Sequence, residues 1–189
     1  MSKAVWKEGN MLYPAPAVLV SCGDSKENFN IITIGWAGNI CTDPAMTYVS
    51  IRPSRLSHDI IKKTREFVIN LTTKRLVFAA DYCGVKSGRE VDKFEALGLT
   101  PLKAGKVKAP LILESPVNIE CKVEEIKHLG SHDMFIAKVL CIHADRGLID
   151  KKGALRLDKA GLVSYSHGRY YVLGRELGHF GFSVRKKKA

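Results

Sequence analysis

The chain has 189 residues, 46% hydrophobic and 26% charged, which excludes a disordered polyelectrolyte and supplies material for a sizeable core. Thirty Lys and Arg against nineteen Asp and Glu leave a net charge of +11, which favours an anionic partner without choosing among nucleic acid, membrane surface and a phosphate-bearing cofactor. Apolar runs such as Ala15–Val20 fall far short of the roughly 18 residues of a membrane helix, and no apolar signal segment opens the chain. Five scattered cysteines without a C-x-x-C suit a reducing compartment, so the expectation is one cytoplasmic domain, 1–189, with no membrane partner.

In chain order, Ala17–Gly23 reads as a strand, Asp24 to Asn28 as turn chemistry and Ile31–Trp36 as a second strand, together a hairpin. The stretch Asn30–Asn39 places Gly35 and Gly38 around Trp36. That composition serves either as a bend around a packed ring or as a place where a flat ligand reaches the backbone N–H groups. Met46–Arg52 is a strand with Thr47, Val49 and Ile51 on the core face and Met46, Tyr48, Ser50 and Arg52 on the other. A helix follows, with Ser57 as N-cap, Asp59 in the first turn, Leu56 and Ile61 as a hydrophobic staple, and Lys62, Lys63 and Arg65 near its end. Glu66–Leu71 is β-like, Lys74–Tyr82 and Val91–Leu97 are helical, Val117–Ile126 and Met134–Ala144 are long strands, and Tyr170–Leu173 adds one more. The tail 185–189 is expected to be solvated and disordered. Strands that follow one another without a βαβ rhythm predict a mainly β fold with α (α+β), an antiparallel sheet closed into a small barrel with peripheral helices.

The chain carries no G-x-G-x-x-G, no G-x-x-x-x-G-K-[ST], no H-E-x-x-H and no G-x-S-x-G, which removes most dinucleotide folds, P-loop enzymes, zincins and α/β-hydrolases. Within Arg52 to His58, Arg52 and Arg55 offer cationic donors, Ser54 and Ser57 offer hydroxyls, and a helix start offers free N–H groups. These are the components of a phosphate site. The same residues also read as an ordinary N-cap beside exposed strand-end charges. His128 and His132 stand four apart, a spacing that converges on a metal only along a helix, and Gly130 between them marks a turn, so no metal site is expected.

In their order and spacing these segments resemble the flavin reductase-like FMN-binding split-barrel family, and within it the flavoredoxin group. The likeness runs from Tyr13 to Leu173 through the N-x-x-T-x-G-W-x-G run at Asn30–Gly38, Arg52 to His58, Glu66–Asn70, Ser87–Phe94, Gly98–Pro101, Glu120-Cys121 and Leu129–His132. The resemblance implies a homodimeric antiparallel split β-barrel that holds FMN non-covalently near the dimer interface. It implies that Thr33, Gly35, Trp36 and Ala37 line the isoalloxazine, that Ser50, Arg52, Ser57 and His58 serve the ribityl chain and phosphate, and that Ser87 and Lys93 add phosphate-side contacts. It also sets the Gly130–His132 turn near the flavin or the nicotinamide approach, which makes His132 the candidate catalytic residue. As a residue type alone, His132 is equally a turn residue leading into a strand. Many relatives carry an acidic residue before that His, whereas Ser131 precedes it here and Asp133 follows. Tyr165, His167, Tyr170 and Tyr171 are expected to pack over the pocket, from the same chain or from a partner copy.

The expected function is an NAD(P)H-dependent oxidoreductase of the flavin reductase type that passes electrons to a small molecule or a redox partner protein. The alternative is an FMN electron carrier without turnover of its own. A basic nucleic-acid-binding module comes last, because no RNA-binding aromatic motif or DNA-reading helix accompanies the charge.

Overall fold

Residues 1–185 are described by this computed structural model; residues 186–189, most of the basic tail expected to be disordered, lie outside them. The strands are β1 (Ala15–Pro16), β2 (Val18–Cys22), β3 (Asn30–Ile34), β4 (Ala37–Thr42), β5 (Ala45–Ile51), β6 (Glu66–Leu71), β7 (Pro101–Leu102), β8 (Leu111–Ile112), β9 (Val117–His128), β10 (Asp133–Ala144), β11 (Val163–Ser166) and β12 (Arg169–Val172). The α-helices are α1 (Leu56–Thr64), α2 (Val77–Val85) and α3 (Lys93–Leu97). Seven strands make one sheet in the order β3-β2-β6-β9-β10-β5-β4, every pair antiparallel.

The sheet is curled rather than flat. Val20 of β2, Ile32 and Ile34 of β3, Val49 and Ile51 of β5, Phe67 and Ile69 of β6, Cys121 of β9 and Phe135 of β10 fall into one buried cluster. Strands at opposite ends of the order share a core only if the sheet wraps around it. β3 and β5 approach each other without pairing, and this unpaired seam is the split of the barrel. Ile61 of α1 inserts into the same cluster and closes the seam from one end. Phe67 and Phe135 are its largest fully buried side chains, and truncating either to Ala would cost about 3–5 kcal/mol.

β2 is buried along its whole length because its other face is covered too. Leu19 and Ile31 meet Leu76, Ala80 and Cys83 from the α2 region and Phe94 of α3, so α2 and α3 pack outside the barrel against β2 and β3. A third cluster joins Val68 of β6 to Ala104, Val107, Ala109 and Leu111. β1, β11 and β12 form a separate three-stranded sheet.

The mainly β architecture with an antiparallel barrel and peripheral helices agrees with the sequence expectation, and β6 spans the predicted residues. Three local readings are corrected. The Gly-rich stretch after β3 is a two-residue bend at Gly35-Trp36 that continues directly into β4, which pairs with β5. Asn39, Ile40 and Cys41 of β4 are exposed, so the strand lacks the apolar alternation by which a sequence reveals one. The helix begins two residues earlier than predicted: Arg55 rather than Ser57 is its N-cap, no side chain caps it, and Leu56 lies inside α1 rather than in a staple ahead of it. Finally, the Lys74–Leu76 part of the second helix is a turn, and α2 starts at Val77.

Candidate cofactor site

Two adjoining clefts open along the split. The first, about 260 Å³, is lined by Ile32, Thr33 and Ile34 of β3, Gly35 and Trp36 of the bend, Ser50, Ile51 and Arg52 at the end of β5, His132 of the β9–β10 turn, and Tyr165 and Tyr170 of β11 and β12. The second, about 190 Å³, is lined by Asn30, Ser54, Ser57, Lys86, Ser87, Gly88 and Lys93. Ile32 and Arg55 line both. Each alone falls below the roughly 300 Å³ lower end of ligand pockets, and only a ligand spanning the pair reaches it.

The two ends differ in chemistry. The first is aromatic and half apolar: Trp36, 40% exposed, lies against the His132 ring with centroids 4.4 Å apart, and Tyr165 meets Tyr170 edge-on at 5.4 Å. Its backbone frame is fixed by the Ser50 N–H, which donates to the Trp36 carbonyl at 2.9 Å. The Thr33 hydroxyl donates to the Ala80 carbonyl at 2.5 Å, so Thr33 ties β3 to α2 and has no proton left for a ligand. Burial, and then the Arg52 guanidinium, hold the His132 imidazole below its ordinary pKa. Ser131 Oγ and His132 Nδ1 share a hydrogen bond at 2.9 Å, which holds the ring in place and leaves its Nε2 turned away from Ser131.

The second cleft collects positive charge and free donors. Lys93 is 3% exposed, and its Nζ donates to the carbonyls of Ile31 (2.7 Å) and Cys83 (3.1 Å), which leaves one of three N–H groups unused. Burial, with the Arg55 guanidinium nearby, lowers its pKa. The neighbouring thiols supply no countercharge, because burial pushes Cys22 up to about 12 and Cys83 up to about 11. Ser57 Oγ accepts from Asn30 Nδ2 at 2.9 Å and keeps its own proton for another acceptor. The start of α1 has no side-chain cap, and while the His58 N–H donates to the Arg55 carbonyl at 2.9 Å, the Leu56 and Ser57 amides stay free beside it. Arg52, Arg55, Lys86 and Lys93 line the two clefts, and among the described residues no carboxylate does. A buried ammonium next to a guanidinium, with hydroxyls and an uncapped helix start, is the arrangement an anion stabilises.

Of the residues expected at the site, Thr33, Gly35, Trp36, Ser50, Arg52 and His132 meet at the first cleft and Ser57, Ser87 and Lys93 at the second. Ala37 does not join them; it lines a third cleft, formed with the segment 9–16, that shares Gly35 and Trp36 with the first. His58 is also displaced. It follows Ser57 on α1 and therefore points about 100° away, where its Nε2 meets Asp133 Oδ2 at 2.8 Å and its ring stands edge-on to Phe135. His167 stacks on Tyr13 and Tyr171 is exposed, so only two of the four distal aromatics reach the cleft. Asn30, Gly84 and Lys86 went unnoticed in the sequence; for Asn30 the signal was its place at the head of the N-x-x-T-x-G-W run.

A family profile described as Flavin reductase like domain matches residues 10–174. The chain belongs to this family. Chains similar to it include a protein of Pyrococcus abyssi, 37% identical over 130 residues that cover 69% of this chain and 74% of that one. Another is a protein of Archaeoglobus fulgidus, 31% identical, covering 85% and 89%. Among solved structures, the flavoredoxin of Desulfovibrio vulgaris (Miyazaki F) superposes with a TM-score of 0.90 at 29% identity, covering 98% of this chain and all of that one. An FMN-binding protein from Thermus thermophilus, solved with bound 1-cyclohex-2-enone, gives a TM-score of 0.80 at 25% identity over 94% and 99%. The split barrel and its membership of a flavin-binding family are therefore established. No helix among the described residues is long and apolar enough to cross a membrane.

Proposed function

We propose that the protein binds FMN across the two clefts and works as an NAD(P)H-dependent oxidoreductase of the flavin reductase type, delivering electrons to a small-molecule or protein acceptor. The observation that carries this reading is the buried Lys93 ammonium facing Arg55 with no carboxylate, in a cleft continuous with an aromatic one. Lys93, Arg55, Ser57, Ser87 and the α1 start would hold the phosphate, while Gly35, Trp36, Ser50 and Arg52 would meet the ring end. When bound, the flavin supplies the hydride and electron chemistry. His132, held through Nδ1 by Ser131, offers its Nε2 for a hydrogen bond at the open side of the first cleft and orients what enters there. Tyr165 and Tyr170 exclude water from that side. Exposed apolar side chains, among them Trp36, Ile40, Leu140, Ile142 and Val172, support a homodimer as the working form.

The likeness to the flavoredoxin favours a second reading, an FMN carrier that does not oxidise nicotinamide. Stopped-flow mixing separates the two. An enzyme's flavin is bleached by NADH or NADPH alone, whereas a carrier's is bleached only by dithionite or a reduced partner protein. Purified protein that holds no FMN after incubation and desalting, and quenches no FMN fluorescence, defeats both.

A further inference from the structure

A second constellation of reactive side chains lies away from the clefts, on the outer face of the barrel. There Glu120 of β9 and Cys141 and His143 of β10 bring one donor atom each within 4.8 Å of one another. A backbone irregularity makes this possible. Ala137 and Val139 of β10 point into the barrel core, and strict alternation would send Cys141 there too. The register slips between Val139 and Cys141, so that Val139 faces Cys121 while Cys141 faces Glu120. The extra residue, Leu140, turns Cys141 and His143 outward onto the face that carries Glu120.

Glu120 is fully buried, and its carboxylate accepts the backbone N–H groups of Gly105 (2.9 Å), Lys106 (2.5 Å) and Val107 (3.0 Å). The remaining position on Oε1 meets His143 Nε2 at 2.5 Å, and that same nitrogen lies 3.7 Å from Cys141 Sγ. Carboxylate oxygen, imidazole nitrogen and thiol sulfur are the three donor types of zinc sites. Bond lengths of about 2.0 Å to N and O and 2.3 Å to S at tetrahedral angles separate N from S by about 3.6 Å and N from O by about 3.3 Å. The observed N to S distance already fits. The N to O distance must open by about 0.8 Å, and the His143 side chain, 38% exposed, has room to swing.

We infer that Glu120, Cys141 and His143 form a site for a thiophilic divalent cation of the Zn²⁺ type, with water as the fourth ligand. The cation takes the place of the proton now shared between His143 Nε2 and Glu120 Oε1. The imidazole stays neutral by carrying its proton on Nδ1, and the Cys141 thiol releases one proton to solvent. Carboxylate and thiolate then balance the 2+ charge. Because Glu120 also holds the amides of Gly105 to Val107, the ion clamps that loop to the β9–β10 sheet.

The test is titration of the full-length protein, as purified with any flavin it carries, with Co²⁺ as a spectroscopic stand-in and Zn²⁺ as competitor. The expected result is one equivalent of Co²⁺ binding with release of one proton and giving intense tetrahedral d–d absorption beyond any flavin band, which Zn²⁺ then displaces without further proton release. Cys141→Ser and His143→Gln should each weaken binding by about a hundredfold or more, since even outer-shell partners are worth ten- to a hundredfold. Cys41→Ser, at an exposed thiol elsewhere, should leave it unchanged. Should Cys141→Ser fail to fold, His143→Gln at the partly exposed position carries the decision. Absence of the tetrahedral spectrum in the wild type, or its survival in His143→Gln, overturns the site.

Discussion

Arg55 stands where the two clefts meet, so its guanidinium is the group best placed to bridge a ring end and a phosphate end. Arg55→Ala should weaken FMN by about 1.5–3 kcal/mol, the worth of a hydrogen bond to a charged group, while leaving riboflavin, which lacks the phosphate, within a few tenths. Fluorescence quenching titrations with both flavins read the difference, and equal losses would mean that Arg55 acts on the ring instead. His132 makes a different prediction. Its ring rests on Trp36 at the open side of the first cleft, so His132→Ala should keep FMN content and melting temperature while slowing reduction by NAD(P)H on the order of ten- to a hundredfold. Burial and Arg52 hold its pKa below the ordinary 6.5, so the imidazole is neutral at pH 7. The rate of flavin reduction should therefore carry no His132 titration above neutrality and should change only in the acid range below that value. A wild-type inflection above pH 7 that vanishes in His132→Ala would contradict the assignment.

At the scale of elements, the strands are fastened by polar groups buried between them. Asn70 of β6 is fully buried; its Nδ2 donates to the Leu19 carbonyl and Ser21 Oγ of β2, each at 3.0 Å, and its Oδ1 accepts from the Ile112 N–H of β8 and from Asn118 Nδ2 of β9. One side chain thus joins four strands. Asn70→Ala strands at least two of those buried partners and should cost about 2–3 kcal/mol, measurable as a lowered midpoint in urea at unchanged slope. Helix α1 shows the converse economy. It lacks a capping side chain because its first turn faces the second cleft, and Asn30 fixes Ser57 from the neighbouring strand instead. A bound phosphate would supply the missing cap, so FMN should protect the α1 amides from hydrogen exchange more than riboflavin does.

For the molecule as a whole, two buried carboxylates set the acid limit. Burial alone raises the Asp133 pKa, but hydrogen bonds from His58 and His128 (2.8 and 2.9 Å) and their charge outweigh it, and the net direction is down. Glu120 behaves alike: burial raises it, and His143 with three backbone amides brings it below its ordinary value. With folded-state pKa values below the unfolded ones of about 4, the unfolded chain binds protons first as the pH falls. The stability these groups contribute is complete above about pH 5 and is lost as the pH drops through their folded values. The part of the urea midpoint that these two carboxylates supply should therefore hold from pH 7 to 5 and fall steeply below 4, so that the acid fall is less steep in Asp133→Asn. At neutral pH the working unit is proposed to be a dimer, and sedimentation of holoprotein at tens of micromolar should return twice the chain mass.

Much of this was legible in the sequence. Short apolar, β-branched runs in Ala17–Gly23 and Glu66–Leu71 and alternation in Met46–Arg52 mark strands locally, since β-branching and a period of two are properties of a few neighbouring side chains. The clustering of Arg52, Ser54, Arg55 and Ser57 likewise put the components of an anion site in plain view, because a strand end and a helix start lie within six residues, though the same residues read equally as an N-cap beside exposed charges. Lys93 entered only through resemblance, and nothing local distinguishes it from a surface lysine. Burial under α2 and β3, which makes its charge consequential, is a product of packing. The same holds for His58, one residue from Ser57 yet turned by the helical repeat toward Asp133, 75 positions further along. Strand β4 escaped notice because its side chains face water and it is held by backbone pairing to β5. Cys141 and His143 face Glu120 only because the slip at Leu140 reverses the alternation their own residue numbers imply. Local patterning decided which residues could form strands and offer donors; the closure of the sheet decided which of those donors meet, because that depends on contacts between segments far apart in the chain.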